Sequence, residues 1–181
     1  MLNMSVLKRV EPISEHQQQE VVSTTHDYIS RAATIIGSRL PVIDIKFDLK
    51  GRAAGMFCIR AGHRWIRYNP YIFAKYFADN LAQTIPHEVA HYAIEHIYGH
   101  RVVRPHGQEW QSLMHALGVH HASRTCNYDL AGIPVRKQNL HAYSCSCQQH
   151  QLTRRRHNKI EKEGARYYCR LCQQLLIQQV T

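Results

Sequence analysis

The sequence predicts an α+β domain followed by a small basic segment that carries paired cysteines. Three observations lead there. Helical patterns enclose a cluster of short alternating stretches between residues 42 and 69, as expected for helices packed on a small sheet. The pattern His87-Glu88-x-x-His91 falls on one of the later helical stretches. From about residue 133 the apolar periodicity gives way to Gln, Arg and Cys. A boundary near Pro134 therefore divides a domain over 10–132 from a segment over 133–181, and 181 residues suffice for one core and one appendage.

The elements follow in order. Ser14 and Gln17 make a capping box, and Val21, Val22, Tyr28, Ile29, Ala32, Ala33 and Ile36 recur at helical spacing as far as Gly37. Residues 42–49, VIDIKFDL, alternate from Ile43 onward and predict a strand with one buried face. KGRAAG reads as a turn, MFCIR (56–60) as a second strand, AGH as another turn and RWIRYN (64–69) as a third strand. Together they predict an antiparallel meander. Pro70 opens a short helix over about Tyr71 to Ala78. The histidine-bearing helix ends near Gly99, with Pro86 either beginning or kinking it. Pro105-His106-Gly107 opens the helix QEWQSLMHAL, which stops at Gly118.

Hydrophobic content of 44% and charged content of 20% are ordinary for a folded chain. The net charge of +10 is not, and it is unevenly spread. Residues 1–132 carry 14 Lys/Arg against 11 Asp/Glu, whereas residues 133–181 carry 9 against 2. Such a segment suits a polyanionic partner. No apolar run is long enough for a signal peptide or a bilayer span, which predicts a cytoplasmic protein without a membrane partner. Thiols stay reduced there, so the six cysteines read as metal ligands or free thiols rather than disulfides. Cys58 and Cys126 stand alone and are expected to be buried thiols.

His87 and His91 are four residues apart, so on a helix both imidazoles face one side and can reach one ion. A catalytic zinc needs three protein ligands at about 2.0–2.1 Å and one open position. Glu88 follows the first ligand, where its carboxylate can take a proton from an attacking water and return it to a leaving amine. Val89, Ala90, Ala93, Ile94 and Ile97 give the same helix an apolar face. The third ligand is less plain. Glu95 and His96 lie along the same straight helix and would place ligands in a line, so they read as outer or solvated residues. His100 falls in the following loop, and His115, His120 and His121 lie further on. His106 opens the next helix, and a turn between packed antiparallel helices could bring it back to the metal.

In the tail, Cys169-Arg170-Leu171-Cys172 is a metal knuckle that needs a partner pair. Upstream, Cys147-Gln148-Gln149-His150 has the usual knuckle gap. Spacing therefore favours Cys147, His150, Cys169 and Cys172, with Cys145 as the substitute for His150. With so few large aliphatic residues, the tail needs a metal to fold. Between the two pairs runs RRRHNK, in which Arg154, Arg155, Arg156 and Lys159 form a candidate phosphate-binding ridge near Tyr167 and Tyr168.

The stretches TIPHEVAH, RPHGQEW, CSCQQHQLTRRRHNK and YYCRLC resemble the SprT family, and the first two also its larger relative Spartan. The resemblance covers residues from about 42 to Cys172. It implies a zincin-like metallopeptidase domain with a C-terminal zinc-ribbon-like segment. By that resemblance His87, His91 and His106 match the ligands of a catalytic zinc, Glu88 matches the catalytic residue, and Glu109 and Trp110 pack or orient their helix. The eukaryotic relatives cleave proteins crosslinked to DNA. The expectation is thus a monomeric zinc metalloprotease, with one catalytic and one structural Zn2+, acting on protein substrates associated with DNA. An edge strand over 56–60 would align the substrate, and the basic segment would hold DNA. The rival expectations are a DNA-binding or regulatory zinc protein with little or no peptidase activity, and a zinc hydrolase acting on a small molecule.

Overall fold

The computed structural model describes residues 9–99, 102–120, 128–135 and 139–179. His100, His121 and Cys126 lie outside them. The chain separates into two compact units, Met1–Val135 and Arg136–Thr181.

In the first unit, helix α1 (Glu15–Ile36) begins at the box made by Ser14 and Gln17 and ends at Gly37, whose φ of 64° is the left-handed conformation that glycine adopts freely. It buries Val21, Thr25, Ile29 and Ala32, a single helical stripe. Strands β1 (Asp44–Lys46), β2 (Gly55–Arg60) and β3 (His63–Tyr68) follow. They do not form the expected meander. β3 is central, in the order β1-β3-β2, and β1 runs parallel to it, with Asp44 opposite Trp65. β2 pairs antiparallel to β3 from Gly55↔Tyr68 to Arg60↔His63 and is an edge strand. Alternation determines which face is buried and not which neighbour pairs, so it could not distinguish these topologies. The crossover is held by local hydrogen bonds: Leu49 N–H donates to Tyr68 O (3.2 Å), and the Asn69 amide donates to Gly51 O (3.2 Å) and Ala53 O (3.3 Å).

Asn69 also caps helix α2 (Pro70–Lys75) by accepting from the N–H groups of Tyr71 and Ile72. A short helix α3 (Phe77–Asp79) and a π-helical turn (Asn80–Thr84) then lead into α4 (Ile85–Tyr98). Pro86 lies in the first turn of α4, where its missing N–H is no loss, and Ile85 N–H reaches five residues back to Asn80 O. The proline thus opens α4 rather than bending it. Helix α5 (Gln108–Ala116) completes the unit. α4 packs against α1, α5 and β2. Ile66, Tyr68, Phe73, Val89, Tyr92, Trp110 and Met114 are in the core that results.

The second unit is a three-stranded sheet in the order β5-β4-β6, from β4 (Leu140–Ser144), β5 (Gln149–Thr153) and β6 (Ile177–Gln178), all paired antiparallel. The arginine run lies in a helix, α6 (Arg154–Glu163), which ends at Gly164 in the left-handed conformation. Its small core is Tyr143, Leu152, Cys169 and Leu176, with Ile160 of α6 packed against it. Among the described residues, no helix is long and apolar enough to cross a membrane.

Candidate metal centres

α4 places His87 and His91 one turn apart, and the turn before α5 returns His106 to them. That turn is closed by Gly107 N–H donating to Arg104 O (2.9 Å), and His106 itself takes a left-handed φ of 57°. The Gln111 amide donates to His106 O at 3.1 Å and braces the loop. The three Nε2 atoms form a nearly equilateral triangle, 3.2 Å from His87 to His91, 3.0 Å from His91 to His106 and 3.1 Å from His106 to His87. Three nitrogens on one face of a tetrahedral zinc lie about 3.3 Å apart, so the donor set fits that ion and leaves a fourth position open.

The histidines rest on Trp110, which is fully buried. Its indole lies nearly parallel to the His91 ring (29°, centroids 5.6 Å apart) and edge-on to those of His87 and His106 (4.8 Å each). Its Nε1–H donates to His87 O at 3.3 Å. This aromatic floor restricts all three imidazoles to one orientation. Burial, reinforced by the neighbouring His87 and His106, pushes His91 down to about 3, which keeps it in the neutral form that binds metal.

Glu88 is 6% exposed and lies under β2, where its Oε2 accepts the N–H of Phe57 at 2.7 Å. Burial pushes its carboxyl up to about 7, against the lowering effect of that hydrogen bond. Gly55 makes room for it: a Cβ there would stand 2.7 Å from both Glu88 Cγ and Thr84 Cγ2. Gly55 and Phe57 carried no recognisable signal in the sequence, because only the packing of β2 over α4 brings them to Glu88. Glu95 lies elsewhere, with its carboxylate held by the Arg64 guanidinium through Nε–Oε2 (2.5 Å) and Nη2–Oε1 (3.1 Å). His96 lies edge-on to Tyr92, and His115 to His120. None of these is in the triangle, whose three ligand atoms form a close group.

In the second unit the Sγ atoms of Cys145, Cys147, Cys169 and Cys172 all lie within 4.8 Å of one another. Cys145 thus takes the place that spacing assigned to His150. The cause is the β4–β5 hairpin: Cys145 N–H donates to Gln148 O (3.1 Å), and the turn so closed presents both Cys145 and Cys147. His150 of β5, opposite Tyr143 of β4, reaches Cys145 Sγ with Nε2 at 3.3 Å but is not one of the close group of four. Sγ separations of 3.4 Å (Cys145–Cys147) and 3.6 Å (Cys147–Cys169) are far from a disulfide and near the edge of about 3.8 Å expected for four thiolates on zinc. Backbone N–H groups of Cys172 and Leu171 hold the Cys169 thiol down at about 5, while the neighbouring thiols, Cys145 foremost, push Cys147 up to about 12. Four sulfurs so crowded cannot all ionise without a cation, and the donor set fits one. Cys58 is half-buried on β2 rather than buried, because β2 is an edge strand.

The cationic run is split between two faces of α6. Arg154 and Arg155 are exposed, and Lys159 is half-buried. Arg156 lies over the Tyr167 ring at 5.7 Å. At 100° per residue, Arg154, Arg155, Lys159 and Lys162 share one side of the helix, opposite Ile160. Lys162 falls outside the contiguous run 154–159 and joins this side of the helix at helical spacing.

Two family models match the chain: the SprT-like family over residues 18–138 and the SprT-like zinc ribbon domain over residues 141–179. Similar relatives include Protein SprT of Klebsiella pneumoniae subsp. pneumoniae, 34% identical over 88% of this chain and 92% of its own. Protein SprT of Vibrio parahaemolyticus is 34% identical over 83% and 87%, and that of Escherichia coli O157:H7 is 32% identical over 88% and 93%. No solved structure matches the chain. The two matched segments carry the histidine triangle and the sulfur group respectively, the relatives align along nearly the whole length, and the chain belongs to the SprT family.

Proposed function

We propose that this SprT family member is a zinc-dependent metallopeptidase acting on DNA-associated proteins, with a catalytic zinc in the first unit, a structural zinc in the ribbon, and DNA held by the ribbon. The observation that carries this reading is the triangle of Nε2 atoms beside a buried carboxylate on the next residue of the same helix. When bound, zinc supplies a Lewis acid for the scissile carbonyl and makes water acidic enough to attack near neutral pH. Glu88 takes the proton of that water and delivers it to the leaving amine. The Phe57 N–H keeps the carboxylate in place. β2, with one edge unpaired in its sheet, aligns an extended polypeptide by backbone hydrogen bonds.

Three features of the ribbon support DNA as the anchor. α6 places arginines in its first turn, where the helix dipole disfavours cations unless an anion joins them. Tyr168 is 53% exposed and offers a ring face to a base. A cavity of about 350 Å³ is lined by Arg156, Tyr167, Tyr168 and Arg170, pairing aromatic faces with guanidinium groups that grip phosphate. Such contacts are sensitive to salt and indifferent to sequence.

The test gives an unfolded basic protein, bound to DNA, to wild type and to Glu88→Gln. The variant should lose cleavage by on the order of a hundredfold or more, with zinc content and DNA affinity unchanged. Equal cleavage by both would remove Glu88 from the mechanism. Cleavage by neither would favour a DNA-binding protein without peptidase activity.

A further inference from the structure

An apolar cavity of about 400 Å³ opens beside His91 and His106 and has no part in the chemistry above. We propose that it is the specificity pocket of the peptidase, receiving one bulky apolar side chain of the substrate (leucine, isoleucine, methionine or phenylalanine) next to the bond to be cut. This rests on the peptidase reading and adds a substrate class to it.

Size, polarity and register all point this way. The volume is at the small end of ligand sites, about 300–1,000 Å³, and suits a side chain rather than a folded element. Its walls are Phe57 and Ile59 of β2, Ile94 of α4 and Val103 of the following loop, and Trp110 lies at its base. The carboxylate in its wall, Glu95, is already held at both oxygens by Arg64, so the pocket presents no unmatched negative charge from that residue to attract a lysine. A charged side chain entering these walls would lose its water without gaining a partner. Arg104, the other charged residue of the lining, is exposed and stands at the rim.

The edge of β2 sets the register. Phe57 gives its N–H to Glu88 rather than to β3, so at Phe57, and two residues on at Ile59, the backbone faces away from β3. With the Phe57 N–H held by Glu88, a substrate strand pairs through the Phe57 C=O and the Ile59 backbone, and its side chains alternate. Phe57 and Ile59 both line the cavity, so the pocket lies on one face of that strand, and a substrate side chain on that face enters it beside the nitrogen triangle.

The experiment uses the full-length, zinc-loaded protein and two small hydroxamates that differ only in carrying an isobutyl or a methyl side chain. Titration calorimetry should show the isobutyl compound binding about 10- to 100-fold more tightly. Val103→Trp, which fills the cavity from a loop, should erase the difference while zinc content stays the same. In parallel, the sites cut in an unfolded protein should share a bulky apolar residue at one position relative to the cut. Equal affinity for the two hydroxamates, or cut sites without a shared apolar residue, overturns the pocket and leaves the peptidase standing. An isobutyl preference with no cleavage of any protein sinks the peptidase reading and supports the pocket's chemistry by itself.

Discussion

Among the described residues, nineteen buried ones make up the main core of the first unit, against four in the ribbon, and one of those four is Cys169. The larger core buries enough apolar surface to offset the entropy of ordering its chain, whereas four residues cannot. Under the proposed function, the difference assigns two jobs to two donor sets. In the first unit the histidines sit on a scaffold that α1, α4, α5 and the sheet already hold, and one tetrahedral position stays open for chemistry. In the ribbon all four positions are cysteines, and the metal takes the place of a core. On the function proposed above, zinc is a reagent in one unit and a structural staple in the other.

Metal removal should break this contrast most sharply. A strong chelator should unfold the ribbon, which would lose apparent stabilisation on the order of 10–16 kcal/mol, while α1 and α4 stay folded. Amide exchange would show it: ribbon amides exchanging freely, those of the first core still protected. Cys169→Ser with Cys172→Ser should have the same local effect and lower the zinc content from two ions to one. If both units melt together, the division of labour is wrong.

Gly55→Ala probes the first unit without touching a ligand. The added methyl would stand 2.7 Å from Glu88 Cγ, so the carboxylate must shift. We expect a loss of about 1–3 kcal/mol in denaturant melts and at least tenfold in cleavage, with unchanged zinc and an unchanged ribbon. Unaltered cleavage would mean that the position of Glu88 under β2 is not needed.

The next comparison sets stability against binding within the ribbon. Replacing Arg154, Arg155 and Lys159 by Ala should weaken DNA binding and reduce the slope of log affinity against log salt by up to about three. Removing two arginines from the first turn should also stabilise α6 slightly, by about 0.3–1 kcal/mol each. Opposite signs would identify these cations as kept for a ligand. An unchanged salt slope would return them to the solvent. The smallest effect belongs to Ser14→Ala, which should cost the first unit about 1 kcal/mol through its lost cap and leave the ribbon's thermal transition in place.

Local chemistry was legible where it depends on residues a few positions apart. Ser14, Gln17 and Gly37 mark both ends of α1 because caps depend on residues three or four apart. His87, Glu88 and His91 share a turn of α4 for the same reason, and the cysteine pairs announce a metal because their spacing is short. Helix α6 was hidden by its charge, since Ile160 alone interrupts the polar run and one apolar residue shows no period.

What only the tertiary structure decided are relations between residues far apart in the chain. The partner of β1, the place of Cys145 instead of His150 behind the β4–β5 turn, the Trp110 floor under three imidazoles, and the space at Gly55 that admits Glu88 all depend on which faces meet. Hydrophobic burial drives such faces together without direction, and steric fit then selects one pairing among many. The sequence by itself determined His87, His91, the candidate base Glu88 and the pair Cys169 and Cys172, because those are set by covalent spacing. The tertiary structure decided how they converge, because convergence is set by packing.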